Sequence, residues 1–221
     1  VQWLHTLGLH VDGGTARAVG DAAATATAQL DMPGLLTLAA ALGWASGFRL
    51  YAVVFIVGGM GALGWLALPP GLQVLQSPLV LLVAGSLMLV EFFADKVPWV
   101  DSAWDAVHAF IRVPGGALLA AGVFGADNAT MGVVAGLLGG SLAATSLATK
   151  MTTRAAANTS PEPFSNWGLS FFEDGLVIAV VWLATQHPVA FGVALVLMVA
   201  VSVLLLVVLF KFLRAVVRRL S

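Results

Sequence analysis

The chain contains no cysteine, and only 10% of its 221 residues are charged. The absence of cysteine excludes disulfides, thiolate metal sites and cysteine nucleophiles. The formal net charge of -1 leaves no basic surface for nucleic acid, which is therefore not predicted as a partner. Four scattered histidines form no metal-spaced pair, and the sequence predicts neither a metal site nor a cofactor: His5, His10, His108 and His187.

Apolar residues make up 60% of the chain, and its mean hydropathy is +0.98. Soluble domains have roughly 45–50% apolar and about 25% charged residues, so this composition predicts a multi-pass membrane protein in a lipid bilayer. Glycine and alanine are abundant, as close helix packing in lipid requires.

Residues 1–31 combine scattered charges with Ala, Thr and Gly, which predicts a flexible N-terminal extension without the pattern of a signal peptide. Residues 32–221 are predicted to form a single transmembrane domain. Its apolar stretches are 35–49, 50–68, 77–93, 99–124, 129–149, 163–185 and 189–209. They predict an all-α bundle of about six transmembrane segments with broken or re-entrant helices, since Ser46-Gly47 interrupts the first stretch.

Two features of this organisation stay open in the sequence. Residues 99–112 are amphipathic and typical of an interfacial helix, and 113–116 (VPGG) interrupt them, so 102–124 is either one kinked span or an interfacial helix with a half-helix. A small-residue helix also precedes an acid-bearing helix in each half of the chain, which is compatible with an inverted 3+3 repeat.

The acidic pair Glu173 and Asp174 lies near the middle of an apolar stretch. About ten residues separate it from either end, or ~15 Å along a helix, which is close to the bilayer midplane. A carboxylate there costs at least ~2.5–3.5 kcal/mol unless it faces protein, water or a cation. Because adjacent residues point ~100° apart on a helix, the two are expected to contact different neighbours.

This pair has two interpretations. It binds a cation or proton in a polar pathway, with Ser165, Asn166 and Ser170 on neighbouring turns, or it forms ion pairs that hold helices in register. The cations that could pair with it are Arg49, Arg112 and Lys96.

Other charged residues also have a functional and a simpler interpretation. Arg49 follows the Ser-Gly break and is the best cationic partner for a solute, or else an interfacial arginine that extends to lipid head groups. Glu91 and Asp95 share a helical face beside Lys96 and could concentrate cations, although a solvated helix end is the favoured interpretation. The remaining group could be the wet face of an interfacial helix or, less favoured, a metal site: Asp101, Asp105, His108 and Arg112.

Six segments of the chain carry a family resemblance: 91–98 (EFFADKVP), 100–102 (VDS), 104–105 (WD), 110–114 (FIRVP), 158–167 (NTSPEPFSNW) and 173–174 (ED). Together they resemble one bacterial family of integral membrane proteins, the domain of unknown function 4126. The resemblance covers roughly residues 32–215. It implies a small membrane protein and assigns no function.

Nine of the ten Lys and Arg residues lie on one side if the C-terminus is cytoplasmic. With the bacterial family, this predicts a multi-pass protein of the cytoplasmic (inner) membrane. The favoured function is a small-solute or ion transporter or channel with an intramembrane acidic site. The alternative is a non-transporting accessory subunit of a larger membrane complex. The small-residue faces are also compatible with a homo-oligomer, and no catalytic constellation supports an enzyme.

Overall fold

The structure is a computed structural model that describes residues 32–97, 99–125, 128–159 and 164–220. These residues form six α-helices and one 3-10 helix. The α-helices are α1 Met32–Ala62, α2 Pro78–Ala94, α3 Val100–Gly122, α4 Ala129–Ala157, α5 Phe164–Gln186 and α6 Pro188–Leu220. The 3-10 helix Pro70–Gln76 lies between α1 and α2. The predicted N-terminal extension, 1–31, lies outside the described residues.

Four of these helices, α1, α4, α5 and α6, are long and apolar enough to cross a membrane. The 3-10 helix and α2 together would make a fifth span, bent by 69° at the break between them. The all-helical, membrane-length class predicted from composition is therefore confirmed.

Helix α1 forms the centre of the bundle. In its most apolar window 78% of the residues are buried, as expected for a helix that is apolar all round. The helix is broken at Arg49, whose φ of -147° and ψ of 72° are not helical. The break predicted near Ser46-Gly47 is thus present, displaced by two residues.

Before the break, α1 packs against α4 through small residues. A side chain at Gly43 would overlap the backbone of Gly139, and one at Gly47 would overlap Ala143 and Ser146. The Ser146 hydroxyl also donates a hydrogen bond of 2.7 Å to a carbonyl oxygen of α1. Because higher residue numbers in α1 meet higher numbers in α4, the two segments run parallel.

After the break, α1 runs along α2 in the opposite sense. Phe55 fills the space beside Gly85, and Gly58 contacts Leu75 and Leu81. Helix α1 therefore approaches Arg49 along α4 and leaves it along α2.

Helix α3 corrects the interpretation of residues 99–124. The helix is continuous, so the irregular backbone predicted at 113–116 is wrong; Gly116 packs in helical conformation against Gly43 and Ala143. Its charged face is buried, while Phe110 is 85% and Leu118 is 74% exposed. The wet face expected for an interfacial helix therefore points inward, and the apolar face points outward.

Three helix ends differ from the sequence: those of α1, α4 and α6. The span predicted to reach residue 68 ends as a helix at Ala62, and the segment after residue 209 is helical through Leu220. Helix α2 begins at Pro78 directly after Ser77, as predicted. Helix α4 continues through Ala157, so the first part of the polar segment assigned to 150–163 is helical instead.

Candidate functional site

Ten charged side chains from five helices converge into one cluster, called the charged cluster below. It comprises Arg49 from α1, Glu91 and Asp95 from α2, Asp101, Asp105 and Arg112 from α3, Lys150 and Arg154 from α4, and Glu173 and Asp174 from α5. Nine of them are at most 3% exposed, whereas the Asp174 side chain is 30% exposed. The break in α1 places Arg49 within this cluster.

The two acids of the pair share Arg49, and Arg154 contacts Glu173, so the different neighbours that their spacing predicts are present only in part. Glu173 accepts two hydrogen bonds from Arg154, at 3.0 Å from Nη2 and 3.2 Å from Nε. Asp174 lies 3.2 Å from Nε of Arg49. The Glu173 carboxylate is also 3.5 Å from the same Arg49 atom, so this arginine joins both acids.

Arg49 is an internal cation and does not extend to lipid head groups, so the interfacial alternative is wrong. Its side chain is 1% exposed, and its Nη1 lies 2.8 Å from Oδ2 of Asp95. Its Nη2 donates to the hydroxyl of Ser170 at 2.8 Å and to the carbonyl of the same residue at 3.2 Å.

The solvated helix end expected at Glu91 and Asp95 is also wrong, because both side chains are completely buried. Glu91 accepts a hydrogen bond of 2.5 Å from Arg112, which lies 2.7 Å from Asp105 on its other side. Arg112 is thereby engaged with α2 and its own helix, and Arg49 rather than Arg112 pairs with the acids of α5.

Lys150 occupies the middle of the cluster, and the sequence reasoning missed it. Its Nζ lies within 4 Å of four carboxylates: Glu91 at 3.4 Å, Asp95 at 3.6 Å, Asp105 at 3.2 Å and Glu173 at 3.6 Å. It also donates a hydrogen bond of 3.3 Å to a carbonyl oxygen of α1 beside the break.

The sequence reasoning also missed Arg154, which, like Lys150, lies in the segment predicted to be a polar connection. It bridges α2 and α5, with its Nη2 3.3 Å from Asp95 and 3.0 Å from Glu173, and it approaches Asp101 at 3.9 Å. The i, i+4 spacing of Lys150 and Arg154 puts them on one helical face, a signal that would have found both if the helix had been extended past residue 149.

The polar residues predicted around the acidic pair lie at the edge of the cluster. Asn166 is buried, donates to Asn158 at 2.6 Å, and accepts through its carbonyl from Arg154 at 3.2 Å. Ser165 is half-buried in the first turn of α5. Six of the seven predicted site residues belong to the cluster or contact it, and Ser165 lies in the first turn of the helix that carries the acidic pair.

Lys96 also lies at the edge of the cluster. Its ammonium donates to the Phe92 carbonyl at 3.0 Å and lies 2.9 Å from the Phe92 ring centroid and 5.1 Å from that of Phe171. Burial, reinforced by the nearby Arg49 guanidinium, lowers the pKa of the Lys96 ammonium. Lys96 is therefore held by aromatic rings and a carbonyl and makes no ion pair within 4 Å among the described residues.

Two cavities border the cluster. One of about 370 Å³ lies between α1, α4, α5 and α6 and includes Trp44, Lys150, Glu173 and Ser202 in its walls. A second of about 290 Å³ lies between α1, α2 and α5 and reaches Asp174. Both have predominantly apolar walls.

In the part of the chain that the structure describes, no three His, Asp or Glu side chains are arranged to hold a metal ion. The His108 ring stacks on Trp104 at 3.9 Å between centroids, and its Nδ1 lies 2.8 Å from the Trp104 carbonyl oxygen. The spacing of Asp101, Asp105 and His108 therefore reflects a buried helix face.

Membrane-length helices around a buried charged cluster define a multi-pass α-helical membrane protein. The chain belongs to the family described as Domain of unknown function (DUF4126), whose match spans residues 36–208. No curated protein and no solved structure matches it.

Proposed function

We propose that the protein is a transporter or channel for a small solute or ion, and that the charged cluster is its polar site. Glu173 and Asp174 would be central, with Arg49 as their partner and Glu91 and Asp95 completing the acidic wall. The observation that carries the proposal is the charge balance of the cluster. Six carboxylates face four cations, so two negative charges are uncompensated when every group is ionised.

Ion pairs that served only to hold helices together would not require an excess of negative charge. A buried ion is costly unless it is paired, and well-packed apolar residues often stabilise a fold as well as a buried ion pair does. Ionisable groups inside membrane proteins more commonly belong to ion or substrate pathways. An excess of negative charge favours a cation as the transported or coupled species.

The break at Arg49 supports the same function. Transporter binding sites are often built from interrupted helices, whose free backbone groups lie at the depth of the solute. Here the break brings backbone carbonyls and a guanidinium to the same place, since Lys150 donates to the carbonyl of Phe48 and Arg49 contacts Asp95.

For the membrane arrangement we propose six segments: α1 as a broken helix that reverses direction at Arg49, the bent pair of the 3-10 helix and α2, and the four helices α3 to α6. Helix α3 is 23 residues long, or ~35 Å, and its outward face is apolar, as lipid contact requires. By the positive-inside rule, the basic residues favour a cytoplasmic C-terminus, with the protein in the inner membrane of a bacterial cell. An inverted repeat would run α1 and α4, the small-residue helices of the two halves, in opposite senses, so their parallel packing argues against the inverted relation expected from sequence.

The alternative function is an accessory subunit of a homo-oligomer or larger membrane complex. The observation that favours it is the apolar character of both cavities next to the cluster. In that case the ion pairs would hold helices in register, and the exposed apolar faces would meet partner helices.

Flux into proteoliposomes separates the two functions. Wild type is compared with Glu173→Gln and Asp174→Asn across a pH series, using monovalent cations and small solutes, with exposed Lys211→Gln as a matched control. The transport proposal expects flux that both acidic variants abolish while remaining folded and that the control retains. Absence of flux for every species, together with destabilised acidic variants, would support the accessory function.

A further inference from the structure

We propose that Asp174 holds an exchangeable proton at neutral pH and is the proton-binding group of the charged cluster. The inference rests on the proposed function only where it gives this proton a role in transport. The protonation itself follows from the charge balance, the pairing and the access of this one carboxyl group.

The charge balance requires a positive species beyond the side chains of the cluster. Its excess of two negative charges is reduced by one if Lys96 at its edge is included, which still leaves one uncompensated charge. A carboxylate in a medium of low dielectric constant is neutralised by a proton when no cation compensates it. At least one carboxyl group of the cluster should therefore be protonated.

Pairing identifies which carboxyl group this is. Asp95 and Glu173 each lie within 4 Å of three cations, and Glu91 and Asp105 within 4 Å of two. Among the described residues, Asp174 has one cation, Arg49, which it shares with two better-paired carboxylates.

Asp101 has one cation as well, but it accepts other hydrogen bonds. The backbone N–H of Ser102 donates to it at 2.5 Å, and the Asn158 amide donates at 3.2 Å. Hydrogen bonds to a carboxylate favour its ionised form. No such donor contacts Asp174 among the described residues, so Asp174 is the weakest-held anion of the six.

Access distinguishes Asp174 from the other carboxyl groups. Its side chain is 30% exposed, whereas no other carboxylate of the cluster exceeds 4%. It reaches the cavity of about 290 Å³ whose walls include Ala52, Ile56, Met88, Phe92 and Ile178. Asp174 is therefore the carboxyl group that a species entering this cavity would meet first, before the ion pairs behind it.

The groups around Asp174 determine what its protonation changes. They are Arg49 from α1, Glu91 and Asp95 from α2, Glu173 from α5, and Lys96 from the turn after α2. When Asp174 is protonated, Arg49 forms ion pairs only with Asp95 and Glu173. When Asp174 loses the proton, it competes with them for the same guanidinium. A proton needs only the carboxyl group of Asp174, whereas a metal ion needs several ligands, and no group of three acidic or histidine side chains in the described residues could hold one.

Infrared difference spectroscopy of the protein in lipid vesicles tests the proposal without reference to transport. Wild type at neutral pH should show the C=O stretch of a protonated carboxyl group, and the band should fade as pH rises. Asp174→Asn should lose the band, and Asp174→Glu should keep it at a shifted frequency. Lys211→Gln, at an exposed residue outside the charged cluster, should leave it unchanged.

Each outcome decides the proposal. A wild-type spectrum without the band, or a band that survives in folded Asp174→Asn, would overturn it. If Asp174→Asn does not fold, the frequency shift in Asp174→Glu makes the assignment, and an unshifted band there contradicts it. The band together with an absence of flux in proteoliposomes would leave the protonation intact and refute transport alone.

Discussion

Replacement of Lys150 by methionine should strongly destabilise the protein. The Nζ of Lys150 lies within 4 Å of four buried carboxylates, and its removal raises the excess negative charge of the cluster from two to three. Breaking a buried ion pair by removing one partner costs about 3–5 kcal/mol, because the other charge is left uncompensated. At about 2–4 °C per kcal/mol for a chain of this size, the expected fall in Tm is about 6–20 °C.

The assay is thermal unfolding in detergent, followed by circular dichroism. Lys211→Met removes an exposed lysine from the C-terminal helix and controls for the chemical change, with little expected effect on Tm. The double variant Lys150→Met with Glu91→Gln removes a partner carboxylate as well, and its Tm should lie above that of Lys150→Met alone.

The sign of the pH effect follows from the same balance. As pH falls, carboxylates left without Lys150 take up protons, so the difference in stability between wild type and Lys150→Met should shrink. A Lys150→Met protein with the Tm of the Lys211→Met control, or a difference that grows as pH falls, would refute an electrostatically coupled cluster.

Two further predictions concern packing and backbone. Gly43→Ala should destabilise the protein by about 1–3 kcal/mol, because the new methyl group overlaps the backbone of Gly139. Gly168→Ala, with open space around its Cβ, should be neutral or slightly stabilising. Equal Tm values for the two variants would contradict the close contact of α1 and α4. Trp99 has a φ of 73°, and its side chain is 81% exposed. Trp99→Gly should therefore be more stable than Trp99→Ala by about 1 kcal/mol in the same unfolding assay, because glycine adopts a positive φ without strain. The reverse order would show that the backbone at this position is not strained.

The sequence was a good guide to features that depend on local composition. Mean hydropathy predicted membrane-length helices, Ser77-Pro78 predicted the start of α2, and Ser46-Gly47 predicted a break close to Arg49. Each of these follows from the chemistry of a short stretch of chain.

The sequence was a poor guide to which polar residues are buried. The sequence predicted a solvated helix end at Glu91 and Asp95, and it predicted a polar connection that includes Lys150 and Arg154. A charged residue at a helix end has the same local pattern whether it faces water or another helix. Burial was decided by partners that lie far away along the chain, as with Lys150 and Glu91, which are 59 residues apart.

The sequence by itself therefore determined the class of the protein, an α-helical membrane protein with an acidic pair in an apolar stretch. Only the tertiary structure decided that ten charges share one cluster, that α3 turns its charged face inward, and that Arg49 joins both acids of α5. The physical reason is that hydropathy is a property of each segment, whereas the compensation of a buried charge requires another helix to place an opposite charge within about 4 Å.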